Sequence, residues 1–372
     1  MGDKTINVEV CIVGAGPSGS LLGYLLAKMG ISTLVIDRSS GDTPPFRGEH
    51  ISAETEEMLK ELHLFNKIEE KGLLRMERVE FIEHGRIVKE IHPQGSEEHV
   101  GIHVPQAHLI RTILEEAKQY KNFYLMLKTK CSGLIQDDHG AYCGVVAISG
   151  KEEWRINCST VIGADGRYST VRKLADIPVE MIQHGYDVLW AKIPSPSGWE
   201  PTVRLLLTHG KQLALFTQTG GYVQIGWNIE KGTFGELKQS PFKFLLTPLE
   251  ENIPELIEPM HQHLTSWKDI VFLDVFSSKS QTWVKDGLVI IGDAAHTMTP
   301  TGAVGINTGM KDAYLLAPIL SEAVQSKQFG IEMLSEFELK RRDHVELLQD
   351  EQVQEEKSFV FNFKDFPLKN MH

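Results

Sequence analysis

The chain has 372 residues, 41% of them hydrophobic and 24% charged, with a formal net charge of −12. That length supports roughly two domains with a substantial core, while the acidic balance excludes a nucleic-acid binder and a polybasic membrane anchor, both of which need clustered Lys and Arg. The four cysteines, Cys11, Cys131, Cys143 and Cys158, form no CxxC pair, so a reducing, cytoplasmic setting is expected and a disulfide framework is not.

The opening "MGDKTINVEV" has neither a basic n-region nor an apolar h-region, so no signal peptide is expected. Ile6 stands where a myristoylation motif wants Ser or Thr. Val8 to Val13 then reads as a buried parallel strand. Gly14-Ala15-Gly16-Pro17-Ser18-Gly19 follows at once, and Leu21 to Met29 has helical spacing. In such a turn the first glycine permits the tight bend, the second lets a pyrophosphate approach the backbone, and the third lets helix and strand pack closely. Pro17 suits the first helical turn, and the free N–H groups there face anions. The next strand, Thr33 to Ile36, ends in Asp37, placed where a carboxylate meets ribose hydroxyls; Arg38 beside it joins the candidates. Gly23, Lys28 and Gly30 interrupt "LLGYLLAKMGISTLVI", so no membrane insertion is expected.

Further along, "PFRGEHIS" occupies 45–52, and "ERVEFIEHGRIVKEI" predicts a hairpin turning at His84-Gly85. "HVPQAHLIRTIL" at 103–114 opens a helix. Gln136 to Gly140 predicts the turn of a second hairpin, laid on the main sheet. "VIGADGRYSTVR" at 161–172 is another strand, running into Asp165-Gly166. "RLLLTHGKQLALFTQTGGYVQIGW" gives three short strands split at His209-Gly210 and Gly220-Gly221. Phe242 to Leu264 is helical, broken at Pro254. "LVIIGDAAHTMTPTGAVGINTG" at 288–309 repeats the strand-to-glycine grammar with Gly292-Asp293 before a long helix. Residues 331 to 357 have helical periodicity with a solvated, charged face. Neither His99, His103 and His108 nor His261 and His263 come with Cys or a spaced acid, so no metal site is expected.

The ordered GxGxxG, DG and GD segments resemble the class A flavoprotein monooxygenases, the para-hydroxybenzoate hydroxylase-like family of FAD-dependent aromatic hydroxylases. The resemblance implies an α/β fold: a Rossmann-like FAD-binding domain with a βαβ core, an antiparallel β-sheet substrate domain, and C-terminal helices. Segments 1–72, 103–180 and 270–345 would build the discontinuous FAD domain, 73–102 and 181–269 the substrate domain, and 346–372 a C-terminal helix and tail.

By the same resemblance, FAD lies extended from the first glycine turn to the late GD segment. Arg47 and Gln106 would face it, Asp165 and Gly166 would touch it, and Asp293 would bond its ribityl chain. The backbone of Gly305, Ile306 and Asn307 would meet its pyrimidine ring, where a helix N-terminus stabilises negative charge. Arg172 is the candidate for a phosphate of NADH or NADPH, and Pro300 for the substrate-side loop. His296 reads as a packed loop histidine. The implied reaction uses NAD(P)H and O2 to insert one oxygen into an aromatic or polycyclic ring through a flavin C4a-hydroperoxide. Lys211 to Gly221 holds no arginine for a benzoate carboxylate. Phe216, Gln218, Gln224 and Trp227 are therefore expected to line an apolar pocket for a larger, weakly charged ring. A reductase or dehydrogenase, a halogenase lacking its WxWxIP signature, and a non-enzymatic scaffold are the alternatives. The chain is expected to be a monomer or homodimer.

Overall fold

Val10–Val13, Thr33–Ile36 and Thr160–Gly163 are buried along their whole lengths, as apolar runs in a sheet covered on both faces should be. In the computed structural model, which describes residues 4–41, 48–95, 97–208 and 211–357, these three strands share one sheet. From one edge its order is Val284–Lys285, Leu288–Ile290, Thr160–Gly163, Val10–Val13, Thr33–Ile36 and Phe123–Met126. Every pair is parallel except the first, an antiparallel edge hairpin. Ile162 is in register with Ile12 on one side and Val289 on the other. The three motif strands are therefore neighbours, and their carboxyl ends deliver the three glycine turns to one rim of the sheet, where ligands of open α/β folds bind.

The hairpin Thr129–Gln136 and Tyr142–Ser149 forms as expected and packs on the core of the main sheet. It joins Glu152–Asn157 and Lys4–Asn7 in a separate four-stranded sheet. The physical reason is its apolar face: Cys131, Val145, Ala147 and Ile156 pack into the main core from outside. All four cysteines are free, and Cys11, Cys131 and Cys158 are buried.

A seven-stranded sheet forms the roof, in the order Val271–Leu273, Tyr186–Pro194, Tyr222–Glu230, Lys211–Gln218, Thr202–Thr208, Arg78–Glu83 and Arg86–Ile91. Its last hairpin turns at His84 and Gly85, with φ of 51° and 70°, the left-handed pair that a two-residue connection demands. The turn expected at His209-Gly210 lies outside the described residues. Side chains alternate across the sheet. Leu189, Ala191, Ile225 and Trp227 pack against Leu245, Leu249 and Met260, which belong to the helices Lys243–Asn252 and Ile257–His263. The opposite face looks toward the loop Pro300–Ala303.

Two expected boundaries move. Val271–Leu273, assigned to the first domain, pairs with Tyr186–Pro194 and so belongs to the roof. The helix Ile331–Lys357 runs through residue 345 without interruption, so the boundary at 346 falls inside a helix; Phe359 to Phe366 lie outside the described residues. No helix among the described residues is long and apolar enough to cross a membrane.

One buried carboxylate fixes the late motif. Asp312, on the helix Gly305–Ser326, accepts from the Gly292 amide at 2.9 Å, contacts His296 Nε2 at 2.6 Å, and receives Arg341 Nε at 2.9 Å from the last helix. Burial acts to raise its pKa, yet His296, Arg341 and the amide hold it below the usual carboxylate range. His296 is thus a packed histidine, with an acid partner 16 residues away that its local sequence does not show. Removing one member of such a buried set strands the other charges. Asp312→Asn is expected to lower stability by about 3–5 kcal/mol, measured as a fall in the denaturant midpoint; an unchanged midpoint would show the clamp to be idle.

Candidate functional site

The first glycine turn enters the helix Pro17–Lys28, whose N-cap is Gly16. No side chain caps this helix and no acid occupies its first turn, so its amide donors are left for a ligand. Gly14 has φ +113°, and a Cβ on Gly19 would lie 1.9 Å from the Gly14 carbonyl oxygen. A Cβ on Gly16 would meet nothing within 4 Å: that side of the turn is open to an approaching group. Asp37 reaches across from the neighbouring strand, where Oδ2 accepts from Ala15 N at 2.6 Å and Oδ1 from Ser39 N at 2.7 Å. Its remaining lone pairs suit ribose hydroxyls. Arg38 is exposed.

Ser18 turns its side chain elsewhere. A Cβ on Gly309 would lie 2.4 Å from Ser18 Oγ, and one on Gly292 2.9 Å from it. The first turn, the GD turn and the long helix are therefore packed in direct contact. Asp293 follows in the turn Gly292–Ala294 and is partly exposed. The helix Gly305–Ser326 also begins without a side-chain cap or a first-turn acid. The structure thus places two bare helix N-termini on the same rim, one beside the first glycine turn and one beside the loop 300–304.

Asn307 joins that second N-terminus to the segment 50–52. Its side chain accepts from Ser52 N at 3.0 Å and donates to His50 O at 3.2 Å. Gln106 donates to Gly48 O at 2.8 Å, bracing the same segment from the other side. Arg47 lies outside the described residues. Both uncapped termini, the open Gly16 and the braced segment fit an extended cofactor with a pyrophosphate at one end and an electron-accepting ring at the other.

Two candidates of the DG segment are engaged by their own neighbours. Arg172 is 3% exposed, and its guanidinium donates to Ala294 O at 2.8 Å and to Arg167 O at 3.3 Å. It ties the DG helix to the GD turn, with its guanidinium turned inward. Asp165 accepts at Oδ2 from the amides of Thr170 and Val171 and at Oδ1 from Ser169 Oγ, so its carboxylate caps the helix Thr170–Leu174. Gly166 beside it, at φ +80°, stands open.

Beneath the roof lies a cavity lined by Tyr186, Trp190, Phe216, His50, His103 and the loop Pro300–Ala303, among others. Trp190 lies over Gly226, where a Cβ would come 2.6 Å from its ring. Gln224 and Gln218 share the face of Phe216, by register and by alternation. They are buried beyond the cavity lining, and Gln218 bonds Glu49. Trp227 is corrected: it faces the opposite side and donates to Leu245 O at 3.0 Å. A strand turns alternate residues apart, and Gly226 and Asn228 take the cavity side.

The cavity's imidazoles are neutral. Burial pushes the His103 pKa down to about 3, with His50 adding to the effect, and burial with His99 takes His50 down to about 4. Glu49 at the edge is pushed by burial up to about 7, against the pull of Lys192 and the bond from Gln218. His50, Tyr186 and Trp190 were not singled out from the sequence, and His103 was weighed only as a metal ligand. The two histidines stand inside the quoted motifs "PFRGEHIS" and "HVPQAHLIRTIL". Tyr186 and Trp190 alternate along a strand whose period could have been read.

Parallel strands ending in bare helix N-termini at one rim, under a roof sheet, define a dinucleotide-binding flavoprotein. A family described as FAD binding domain matches residues 7–352, and the chain belongs to it. It is 32% identical over 343 residues to the 6-methylpretetramide 4-monooxygenase of Streptomyces rimosus, covering 91% of this chain and 81% of that protein. It is 24% identical over 366 residues to the p-hydroxybenzoate hydroxylase of Acinetobacter baylyi, covering 91% and 83%. Its fold is similar to that of PqsL, a probable FAD-dependent monooxygenase from Pseudomonas aeruginosa, with a TM-score of 0.82 and 18% identity over 95% of this chain and 97% of the other. The protein is an FAD-dependent monooxygenase.

Asp37→Ala is expected to weaken FAD about tenfold, roughly the loss of one charge-assisted hydrogen bond, read as flavin released on dilution. Arg172→Ala is expected to lower thermal stability and to leave the KM for NADH or NADPH of the surviving folded enzyme unchanged; a raised KM would return Arg172 to the nicotinamide site.

Proposed function

We propose that this monooxygenase uses NADH or NADPH and O2 to oxygenate a neutral, multi-ring aromatic substrate held between the roof and the loop Pro300–Ala303. One observation carries the reading: the cavity wall combines Trp190, Phe216 and two neutral imidazoles, and no Arg or Lys is among its lining residues. Bound FAD supplies the redox chemistry, taking hydride from the nicotinamide and activating O2. The chain's residues bind and orient. Gly14 to Gly19 and Asp37 would hold the adenosine and pyrophosphate end, and the amides at Gly305 to Asn307 the ring. The aromatic side chains position a flat substrate and keep water out.

Electrostatics set the substrate class. Glu355 is the ionisable acid among the lining residues, so a buried substrate carboxylate would face like charge without a counter-ion, at a cost of several kcal/mol. Arg204, on the third roof strand from the far edge, bonds Glu80 and Glu255 and is absent from the cavity. Four free cysteines support a cytoplasmic setting.

Flavin-absorbance titration of the FAD-loaded protein tests the reading. Neutral hydroxylated two- to four-ring aromatics are expected to bind and to stimulate NAD(P)H oxidation, with one oxygen gained by mass. Preferential binding and hydroxylation of 4-hydroxybenzoate would overturn it.

A further inference from the structure

The helix Ile331–Lys357 buries two glutamines, Gln349 and Gln352, each 2% exposed. With Glu356 they stand three and four residues apart, on one face of the helix. Gln349 Nε2 donates to Ser278 O at 3.1 Å and to Thr297 O at 2.9 Å. One turn on, Gln352 Nε2 donates to Thr299 O at 3.1 Å and to Thr301 O at 2.5 Å. Glu356 Oε1 accepts from Thr301 Oγ1 at 2.8 Å and from Tyr186 Oη at 3.0 Å, and its other oxygen pairs with His184 Nδ1. Thr301 is therefore held at its carbonyl and at its hydroxyl by one helix.

The segment so held is strained. Gly302 has φ +67° and Ala303 φ +53°, two successive residues in the left-handed region, where a Cβ crowds the following carbonyl. Glycine adopts this conformation freely and alanine does not. It persists where the surroundings impose it. Gln352 and Glu356 hold the entry at Thr301, and Asn307 Nδ2 donates to Ala303 O at 3.3 Å on the exit side. Between these anchors Thr301, Gly302 and Ala303 form one wall of the cavity with Pro300. Gln352 carries a cost of its own: two carbonyls claim its amide nitrogen, and Oε1 is buried without a hydrogen-bond partner. Gln349 differs in one respect. Thr297 O also accepts from Ser278 N at 3.0 Å, so the point it holds is secured by a strand as well.

We propose that Gln352 is a positioning residue for the substrate: it fixes the left-handed turn at Gly302 and Ala303, and so sets the wall against which a substrate ring is placed. The inference rests on the cavity being the aromatic site proposed above. Gln352 is not among the residues that line the cavity; it acts through the carbonyls of Thr299 and Thr301. Without its amide those carbonyls lose their fixed direction. Ala303 then leaves the left-handed region, because its Cβ favours the relaxed turn, and the backbone of the wall turns with it. A small displacement of this kind is enough to spoil the alignment of a bound ring. With glycine at position 303 the left-handed turn costs little even unaided. The need for Gln352 is thus tied to the alanine four residues past Thr299.

The test uses the FAD-loaded full chain. Affinity for 2-naphthol comes from flavin-absorbance titration, and the state of the turn from amide hydrogen exchange, read by mass spectrometry without the probe. Gln352→Met, which keeps the length of the side chain without its amide, should raise exchange across residues 301–304 and weaken 2-naphthol by about tenfold, the worth of one well-made hydrogen bond. Gln349→Met is the control: exchange across 301–304 should match the wild type, and 2-naphthol affinity should stay within about twofold. On an Ala303→Gly background the loss caused by Gln352→Met should shrink to less than about threefold, a coupling that a merely structural glutamine would not show. Gln352→Asn, which keeps the amide but withdraws it by one methylene, serves the same comparisons if the methionine variant does not fold. Three results would each overturn the proposal: unchanged exchange across 301–304 in Gln352→Met, equal affinity losses at positions 349 and 352, or an undiminished loss on the Ala303→Gly background. If the wild type does not bind 2-naphthol, the aromatic-site reading falls, and the exchange pattern alone decides whether Gln352 holds the turn.

Discussion

The site depends on one buried carboxylate. Asp312 holds the Gly292 amide, His296 and Arg341 at once, and so fastens the GD turn to the long helix and the long helix to the last one. With that contact made, Ser18 fits against Gly292 and Gly309, and the first glycine turn is brought against the second. A charge with 0% exposure is costly to bury; three polar partners offset the cost. What the clamp secures is position: two helix N-termini that no side chain caps, held on one rim for a single long ligand.

The second constraint is the absence of cationic side chains from the cavity wall among the described residues. The arginines near the roof and the DG segment are engaged elsewhere, Arg204 with Glu80 and Glu255, Arg172 with backbone carbonyls. The wall is left to aromatic rings and neutral imidazoles, with Gln212, Asn228, Thr301, the Tyr186 hydroxyl and Glu355 as its other polar groups. Such a surface discriminates by shape and by single hydrogen bonds. It gives an anion no compensation for lost water.

Local periodicity made much of this legible. Strand, glycine turn, helix and terminal acid stand in order over residues 8–37 and form as read, because each residue type there satisfies a backbone requirement that neighbours in sequence impose. The hairpin at His84-Gly85 and the break at Pro254 were equally local. Misreadings arose where a side chain's partner is distant. Arg172 looked free because Ala294, whose carbonyl it binds, is 122 residues away. Trp227 was placed on the wrong face, since a strand's alternation gives two sets of residues and the sequence alone does not say which set faces the cavity.

By itself the sequence determined the α/β class, the three glycine turns and the order in which they occur, because those features follow from backbone sterics and short-range hydrogen bonding. It also determined that the roof carries no arginine between Lys211 and Gly221. Only the tertiary structure decided which polar groups are available for chemistry. Asp312 with His296, and Glu356 with Tyr186 and His184, are pairs made by packing across 16, 170 and 172 residues. A hydrogen bond of about 3 Å between such residues leaves no periodic trace in the chain, since it exists only after the helices have docked.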